Sequence, residues 1–454
     1  MQKVKTMWAK IEYVPSKREI IYLPSSLAMD CEQSIKVVFG GKSINAGIQN
    51  MDDLELQKES SFEKPGKIKI SDRLKNRLLI PESLVYQVEI SDSCIVIGPV
   101  IGLLLGNDTN RYNPRHMKKY SDRFGIYKKV GGLIYAFSPK SINWKKHMAY
   151  GLYYNIAAAS WEYGCFPLPE VIYRRDFHTN PKFIKKLIEF TGGKLFNSYR
   201  FSKYELYETI SLNNELNKYL PPTELSLNFD QVRRFIDCHQ KVILKPIDLS
   251  RGRGICVIER IDSVYKVTDY RYRYPIVLEF NDIESLENFF AVNRNLFNKY
   301  LIQKYLPLAR IGNYLFDIRV VMQKQKDKAW GCTGIECRVS NDSHLTNISR
   351  GGYALSLDEA LHHAFPTDYQ RLSQQVNQFC QKFCSYMDSL GEHFAEFGMD
   401  IAFDIDKNLW LIEANVFPSF KGFKMMDWNT YYSIRYTPLL YALSLTPFGE
   451  SELK

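Results

Sequence analysis

The feature that most constrains this chain is a stretch, residues 397–418, in which apolar and polar residues alternate (FGMDIAFDIDKNLWLIEANVFP). The alternation continues on both sides of Asp406-Lys407-Asn408, a short polar break. A period of two predicts β-strands, and a short polar break between two such strands predicts an antiparallel hairpin. We therefore predict a hairpin whose loop consists of Lys407 and Asn408.

This register decides which polar side chains lie together. It pairs Asp400 with Asn415 and Ala402 with Glu413, and side chains two residues apart share a face of a strand. Asp400, Glu413 and Asn415 would then form a hard-oxygen site suited to Mg²⁺ carrying phosphates. The alternative is the exposed face of an ordinary hairpin, and an odd shift of register would separate the groups. Asp404 is either a further ligand or a solvated residue.

A second informative segment, KVILKPIDLSRGRGICVIER, spans residues 241–260. An apolar strand ends near Lys245, and a basic glycine loop follows: Arg251, Gly252, Arg253 and Gly254. Glycine lets backbone N–H groups approach an anion closely, and arginine adds positive charge. The segment lacks the G-x-x-x-x-G-K-[ST] string of a P-loop, and a strand follows it instead of a helix. It is either a lid over a nucleotide triphosphate or a plain hairpin.

A third segment, residues 300–324, contains the strings QKYL and DIR. Gln303 to Leu306 would form an extended segment whose backbone can read an adenine edge. Asp317 and Arg319 are two apart on a strand and share a face. A guanidinium can clamp a phosphate or carboxylate with two hydrogen bonds, so Arg319 is either such a clamp or part of a surface ion pair.

Two further cations are candidates for anion contacts. Arg350 precedes two glycines in NISRGGYALSL, which is a possible anion contact or simply a turn. Lys203 opens a helical segment from which it can reach a phosphate. No Ser/His/Asp or Cys/His arrangement indicates nucleophilic catalysis, and His362-His363 fits a solvated helix face.

The charge balance favours an anionic partner. The 60 Lys and Arg residues exceed the 50 Asp and Glu residues, which gives a net charge of +10. Nucleotide phosphates, a polyanionic polymer and nucleic acid all satisfy that preference. Basic stretches such as residues 115–119 lack interleaved aromatic side chains, which argues against direct nucleic-acid binding.

Three observations predict a cytoplasmic protein without a membrane span. The N-terminal residues MQKVKTMWAKIEYV lack the apolar segment of a signal peptide. The longest apolar run, residues 95–106, is far shorter than the ~20 residues that a spanning helix needs. Nine cysteines without the spacing of a zinc site are typical of free thiols in a reducing compartment.

Changes in the pattern of apolar and turn residues along the chain predict three domains. Residues 1–94 hold short apolar runs between turn residues, which predicts a β-rich module, and two similar halves would suit a small barrel. Residues 95–200 alternate helical patterns with apolar runs, which predicts an α/β domain. Residues 201–454 predict an α+β domain, in which Asp230 caps one helix. Further helices of that domain are predicted at 284–299, 368–390 and 428–445.

The order of these motifs resembles the ATP-grasp fold of carboxylate–amine ligases. Along the chain, a lysine is followed by a strand that ends near a second lysine and by a glycine loop. The strings Q-K-Y-L, D-I-R, R-G-G and G-x-D come next, and E-x-N begins thirteen residues after the Asp of G-x-D. The closing string is similar to the metal-binding hairpin of D-alanine–D-alanine ligases and glutathione-synthetase-like enzymes. With its β-rich N-terminal segment and GPVIGLLLG, the chain resembles the YheC/YheD group of spore-forming bacteria, which is linked to the endospore coat. The resemblance implies an α+β and α/β protein: an ATP-grasp fold preceded by a Rossmann-like pre-ATP-grasp domain and the β-rich module.

The resemblance also implies roles for matching positions. ATP phosphates would be contacted by Lys203 and Lys245, under the loop of Arg251, Gly252, Arg253 and Gly254. Adenine would be lined by Gln303, Lys304 and Leu306, with Asp317 near the ribose or phosphate end. Mg²⁺ would be held by Asp400, Glu413 and Asn415. The acyl substrate or its phosphate would be oriented by Arg319 and Arg350.

The implied activity is ATP- and Mg²⁺-dependent ligation of a carboxylate to an amine, an amino acid or a peptide-like molecule, through an acyl phosphate. The implied location is the mother-cell cytoplasm with association to the spore coat. The main alternative is a structural coat protein on an inactive or merely nucleotide-binding scaffold, and a third is a nucleic-acid protein acting through the N-terminal module. Two positions depart from the pattern, so the substrate cannot be taken from known ligases. Ser419 replaces a Gly after the Pro of N-x-x-P, and Gly398 replaces the Arg of D-alanine ligases.

Overall fold

The computed structural model describes residues 5–24, 34–51, 60–176, 178–247, 254–340 and 352–450. Within these ranges the strands form one closed barrel and three sheets, which follow one another along the chain. None of the described helices is long and apolar enough to cross a membrane.

The first unit is a β-barrel, as the alternating N-terminal runs predict. Its strands close in the order β1-β5-β2-β4-β3-β7-β6. Alternate side chains point inward, and the inner ones, such as Val37 and Ile70, are fully buried. The elements are β1 Lys5–Val14, β2 Ile20–Pro24, β3 Ser34–Phe39, β4 Lys42–Met51, β5 Gly66–Ser71, α1 Asp72–Leu78, β6 Val85–Ile90 and β7 Cys94–Gly98.

The second unit is a mixed sheet with the order β11-β10-β9-β8-β12-β13. Strands β9, β8, β12 and β13 are parallel to one another, as in a Rossmann-like domain. The apolar run 95–106 contains two strands, the last one of the barrel and the first one here. The elements are β8 Val100–Leu104, α2 Pro114–Met117, a 3₁₀ helix Lys118–Ile126, α3 Tyr127–Val130, β9 Leu133–Asn143, β10 Met148–Asn155, β11 Ser160–Pro167, β12 Val171–Arg174, α4 Pro181–Phe190 and β13 Leu195–Phe196.

The third unit is an antiparallel sheet with the order β14-β19-β15-β16-β17-β18. Helices α6 and α7 pack on one face through apolar side chains such as Phe235 and Phe290. Asn228 caps α6, so the prediction of Asp230 as the cap was wrong: the helix begins two residues earlier than that cap requires. The elements are α5 Lys203–Ser211, β14 Thr223–Leu225, α6 Phe229–His239, β15 Lys241–Pro246, β16 Cys256–Ile261, β17 Val264–Asp269, β18 Ile276–Phe280, α7 Ile283–Val292 and β19 Tyr300–Lys304.

The fourth unit is a sheet with the order β23-β22-β21-β24-β25, with β20 paired to β21. One face packs on α8 and α9, and part of the other packs on α10 and α11 around Val321. The rest of that second face is polar and holds the candidate site. The elements are β20 Arg310–Ile311, β21 Tyr314–Lys324, β22 Trp330–Val339, β23 Tyr353–Leu355, α8 Leu357–Ala364, α9 Tyr369–Asp388, β24 Glu396–Phe403, β25 Leu409–Asn415, α10 Lys421–Met426 and α11 Trp428–Ser444.

Candidate functional site

The predicted C-terminal hairpin is present as β24 and β25, but its loop is wider than predicted. Phe403 pairs with Leu409, so five residues connect the strands instead of two. Asp404 explains the difference, because its buried carboxylate stabilises this loop. It accepts hydrogen bonds from the backbone N–H groups of Asp406 (3.0 Å) and Asn408 (2.9 Å), and from Trp410 Nε1 (2.8 Å). Both earlier interpretations of Asp404, as a ligand or as a solvated residue, were therefore wrong.

A β-bulge restores the predicted face. The pairing register shifts between Asp400 and Ile401, and Ile412 is the extra residue on β25. Asp400 therefore lies opposite Glu413, and Asn415 lies opposite Gly398. The predicted pairing of Asp400 with Asn415 was wrong by two residues. Because that shift is even, all three polar side chains still lie on one face of the hairpin.

Charged side chains continue this face across the neighbouring strands. Arg319 on β21 lies between Asp400 and Glu336 in the register, and Asp317 lies opposite Arg338 on β22. We call the set of Asp317, Arg319, Glu336, Arg338, Asp400 and Glu413 the charged face.

The arginines of the charged face are committed to ion pairs. Arg319 donates two hydrogen bonds to Asp400, one of them of 2.8 Å from Nη2 to Oδ2. Arg338 donates two hydrogen bonds of 2.6 Å to Asp317, and its Nη2 lies 3.0 Å from Asp400 Oδ1. Arg319 and Asp400 are each 8% exposed, so their contact is a buried ion pair and not a surface one.

Burial and these ion pairs set the protonation of the two carboxyls. Burial raises the pKa of Asp400, but Arg319 and Arg338 outweigh it and hold the pKa below its ordinary value. Burial raises the pKa of Glu336 to about 7, although Arg338 and Arg319 act against it. Within the described part of the chain, Glu336 Oε2 has no hydrogen-bond partner. Of these two carboxyls, Asp400 is therefore firmly ionised and Glu336 is easily protonated.

The third sheet supplies the cations opposite this face. Lys245 on β15 donates a 2.6 Å hydrogen bond to Gln303 Oε1, and Gln303 Nε2 donates to Thr223 Oγ1 at 2.7 Å. Burial is the main cause that lowers the pKa of Lys245 to about 8; nearby Lys203 contributes to the lowering, and Glu413 acts against it. The carboxylate of Glu413, on the fourth sheet, is therefore close enough to the ammonium group of Lys245, on the third sheet, to influence its pKa.

The affinity for ATP is expected to fall as the pH rises through about 8. Lys245 loses its proton there, because its pKa is about 8, and a neutral amine no longer attracts phosphate. Titration calorimetry with Mg²⁺ and a non-hydrolysable ATP analogue on both sides of that pH measures the change. The control is Lys245→Arg, whose guanidinium stays charged and should bind independently of pH in this range. Equal wild-type affinity on both sides would contradict the role of Lys245.

The segment predicted to read adenine joins the two sheets. Gln303 and Lys304 end β19, and Leu306 is 8% exposed in the extended stretch that follows. The chain then reaches the hairpin loop, where the Ala309 N–H donates to the Phe403 carbonyl at 2.9 Å. This path places the segment at the junction of the sheets, and its adenine contacts remain a prediction.

The other predicted residues belong to the glycine loop, the R-G-G string and the start of α5. Arg251, Gly252, Arg253 and Arg350 lie outside the described residues. Gly254 is described and has a φ of +75°, a left-handed conformation that glycine adopts without strain. Lys203 is the first residue of α5, and its Nζ lies 3.5 Å from the Pro246 carbonyl oxygen at the end of β15.

The departure at Gly398 has a steric cause. A Cβ added to Gly398 would overlap the Cβ of Pro418, which packs directly on the strand. An arginine, found here in D-alanine ligases, would have no space without moving the N-x-x-P segment. The described face therefore has no room for a larger side chain at position 398.

The oxygen donors fit a Mg²⁺ ion that also takes phosphate ligands. No group of three or more His, Cys, Asp or Glu side chains suited to a metal occurs among the described residues. The site holds two carboxylates and an amide, Asp400, Glu413 and Asn415, which leaves several positions of an octahedral ion for phosphate oxygens and water. Glu413 and Asn415 are half-buried, while Asp400 is shared with two arginines.

Sequence reasoning missed Glu336 and Arg338. They stand two apart in the string ECRV, the same period-two pattern that identified Asp317 and Arg319. The available signal was charge complementarity, since E-x-R on one strand matches D-x-R on its neighbour.

Lys245 of the third sheet is influenced electrostatically by Glu413 of the carboxylate–asparagine hairpin in the fourth sheet, which agrees with the resemblance to the ATP-grasp fold. The sequence profile described as YheC/D like ATP-grasp matches residues 192–445, more than half of the chain. The chain therefore belongs to the YheC/D-like ATP-grasp family.

The chain is also similar to individual proteins, among curated sequences and among solved structures. Endospore coat-associated protein YheD of Bacillus subtilis (strain 168) is 24% identical over 413 residues, covering 88% of this chain and 87% of that protein. Endospore coat-associated protein YheC of the same organism is 23% identical over 279 residues, covering 59% and 76%. The solved structure of the ATP-grasp ligase PsnB with a minimal precursor is 16% identical, with a TM-score of 0.44, covering 76% and 99%. The family assignment rests on the sequence match.

Proposed function

We propose that this protein is an ATP- and Mg²⁺-dependent ligase that joins a carboxylate to an amine. The observation that carries the proposal is the pairing of Asp400 with Glu413 on a face that acts electrostatically on Lys245. Membership of an ATP-grasp family supports the nucleotide, and the oxygen donors support the metal.

The residues of the chain would act by position and charge. Lys203 and Lys245 would attract the phosphates, and Gly254 would close the loop above them. Asp400, Glu413 and Asn415 would hold Mg²⁺, which when bound neutralises phosphate charge. Arg319, fixed by Asp400, would orient the acyl group. Phosphoryl transfer depends mainly on such positioning and charge stabilisation, so no nucleophilic side chain is required.

The proposed reaction has two steps. A substrate carboxylate oxygen attacks the γ-phosphorus, the bond to the β-phosphate oxygen breaks, and ADP leaves with an acyl phosphate remaining. An amine then attacks the acyl carbon, loses a proton and displaces inorganic phosphate, which yields an amide. Water must be excluded between these steps because it would hydrolyse the acyl phosphate.

ADP release with a panel of amino acids and peptides tests the proposal. We expect release of ADP that depends on both Mg²⁺ and a carboxylate substrate. Hydroxylamine, a strong amine nucleophile, should trap the acyl phosphate as a hydroxamate in proportion to ADP. ADP release without a hydroxamate would contradict the acyl phosphate, and binding of the ATP analogue without ADP release would contradict the ligase.

A second candidate is a spore-coat protein that binds the nucleotide without catalysing a reaction. The names of both Bacillus subtilis relatives favour an association with the coat, and a net charge of +10 would help adhesion to acidic polymers. In that case the analogue should bind with Mg²⁺, and no substrate in the panel should release ADP.

A further inference from the structure

One buried cation has no anionic partner among the residues that the structure describes. Arg123, on the 3₁₀ helix Lys118–Ile126, is 3% exposed. Among the described residues it forms no ion pair and no hydrogen bond, and its guanidinium lies 5.0 Å from the centre of the Tyr120 ring. A buried charge without a partner is costly, and buried arginines are normally paired.

The neighbours of Arg123 increase this cost. Burial is the main cause that lowers its pKa to about 10, and the nearby guanidinium groups of Arg435 and Arg175 contribute to the lowering. Arg435 is already satisfied, because its Nε donates to Asp122 Oδ1 at 2.7 Å. Arg175 is satisfied by Glu396 Oε1, at 2.6 Å from its Nη1. The two carboxylates are thus used by two of the three arginines, and one positive charge is left over in this described cluster of side chains.

The unpaired charge lies close to the proposed active site. Arg175 Nη2 donates a 3.0 Å hydrogen bond to the Pro418 carbonyl oxygen. Pro418 is three residues from Asn415, a separation of roughly 10 Å along an extended chain. An anion bound between Arg123 and Arg175 would therefore lie beside the metal-binding hairpin, at some distance from the phosphates.

We propose that Arg123 binds a carboxylate group of the substrate, a different one from the carboxylate that is activated. This inference rests on the proposed ligase function for the identity of the ligand. A planar guanidinium matches a carboxylate through two parallel hydrogen bonds, and a single negative charge balances the single excess charge. The substrate class is therefore a dicarboxylate, such as an acidic amino acid or a peptide with a free acidic end.

Thermal unfolding of the full chain without ATP tests whether Arg123 serves a ligand or the fold. Arg123→Met removes an uncompensated charge, so it should melt at the wild-type temperature or above. Arg435→Met is the matched control, because it removes the ion pair of Asp122, which then keeps the hydrogen bond from the Tyr431 hydroxyl, and it should lower the melting temperature by about 2–4 °C or more. If Arg123→Met lowers it as much as Arg435→Met, Arg123 is structural and the proposal fails.

The second arm uses sodium glutarate as the probe, with sodium chloride at equal ionic strength as its control. Glutarate should raise the melting temperature of the wild type and should not raise that of Arg123→Met. Arg123→Lys, which keeps the charge without the planar fork, should show a smaller rise. No rise in the wild type, or an equal rise in Arg123→Met, would overturn the proposal. A parallel shift by Mg²⁺ and the ATP analogue, expected to persist in Arg123→Met, reports separately on the nucleotide site.

Discussion

Replacement of Arg319 by methionine is expected to lower the free energy of unfolding by about 3–5 kcal/mol. Arg319 donates two hydrogen bonds to Asp400, and both side chains are buried. Without Arg319, Asp400 keeps only the contact with Arg338, which also serves Asp317. The loss thus comes mainly from a buried carboxylate with too few donors. Urea unfolding followed by circular dichroism measures it.

Two variants separate this effect from lost packing. In Arg319→Met with Asp400→Leu both buried charges are removed, and most of the lost stability should return. Lys382→Met breaks an exposed pair with Glu215 and should cost no more than about 1 kcal/mol. If Arg319→Met costs no more than Lys382→Met, Arg319 does not stabilise the charged face.

The C-terminal hairpin shows what a local sequence pattern predicts and what it does not. Alternation along residues 397–418 identified both strands, because burial on one face imposes a period of two wherever the strands pair. The loop depended on Asp404, whose carboxylate collects hydrogen bonds from the backbone and from Trp410. A polar break in the sequence does not indicate such a capping role, so the register was wrong while the face was right.

The charged face shows a different limit. Asp317 and Arg319 were recognised as sharing a face, but their partners depend on which strands lie beside β21. Arg338 and Asp400 are contributed by strands on opposite sides, one of them more than sixty residues further along the chain. The local sequence pattern identifies such charged residues but does not indicate which of them form ion pairs with each other. Arg123 was missed for a related reason, since its lack of a partner becomes evident only in three dimensions.

The end of one helix shows the same difference between a local sequence pattern and a tertiary contact. The helix predicted at 284–299 ends at Val292, because Asn293 closes it and a 3₁₀ turn follows. The Asn293 side chain also accepts a 2.8 Å hydrogen bond from Arg271, a residue of the neighbouring sheet connection. The apolar pattern beyond residue 293 continued, but this tertiary contact ended the helix.

Glu413→Gln is expected to reduce ADP release by about 10²–10³-fold while the protein stays folded. The substitution keeps the size of the side chain and removes one of the two carboxylates that are proposed to hold Mg²⁺, the one that acts electrostatically on Lys245. A neutral amide weakens the hold on Mg²⁺ and on the charge that develops at the γ-phosphate. Steady-state ADP release measures the loss, and Asp406→Asn, an exposed carboxylate on the same hairpin, should leave the rate unchanged.

Binding of the ATP analogue shows whether that loss arises at the metal. Wild-type affinity should increase when Mg²⁺ is added, and Glu413→Gln should lose this increase while it keeps the affinity measured without metal. Lys245→Met should weaken binding under both conditions, because it removes a charge that meets the phosphates directly. If Glu413→Gln binds and turns over as the wild type does, the metal lies elsewhere, and the pairing of Asp400 with Glu413 serves only the fold.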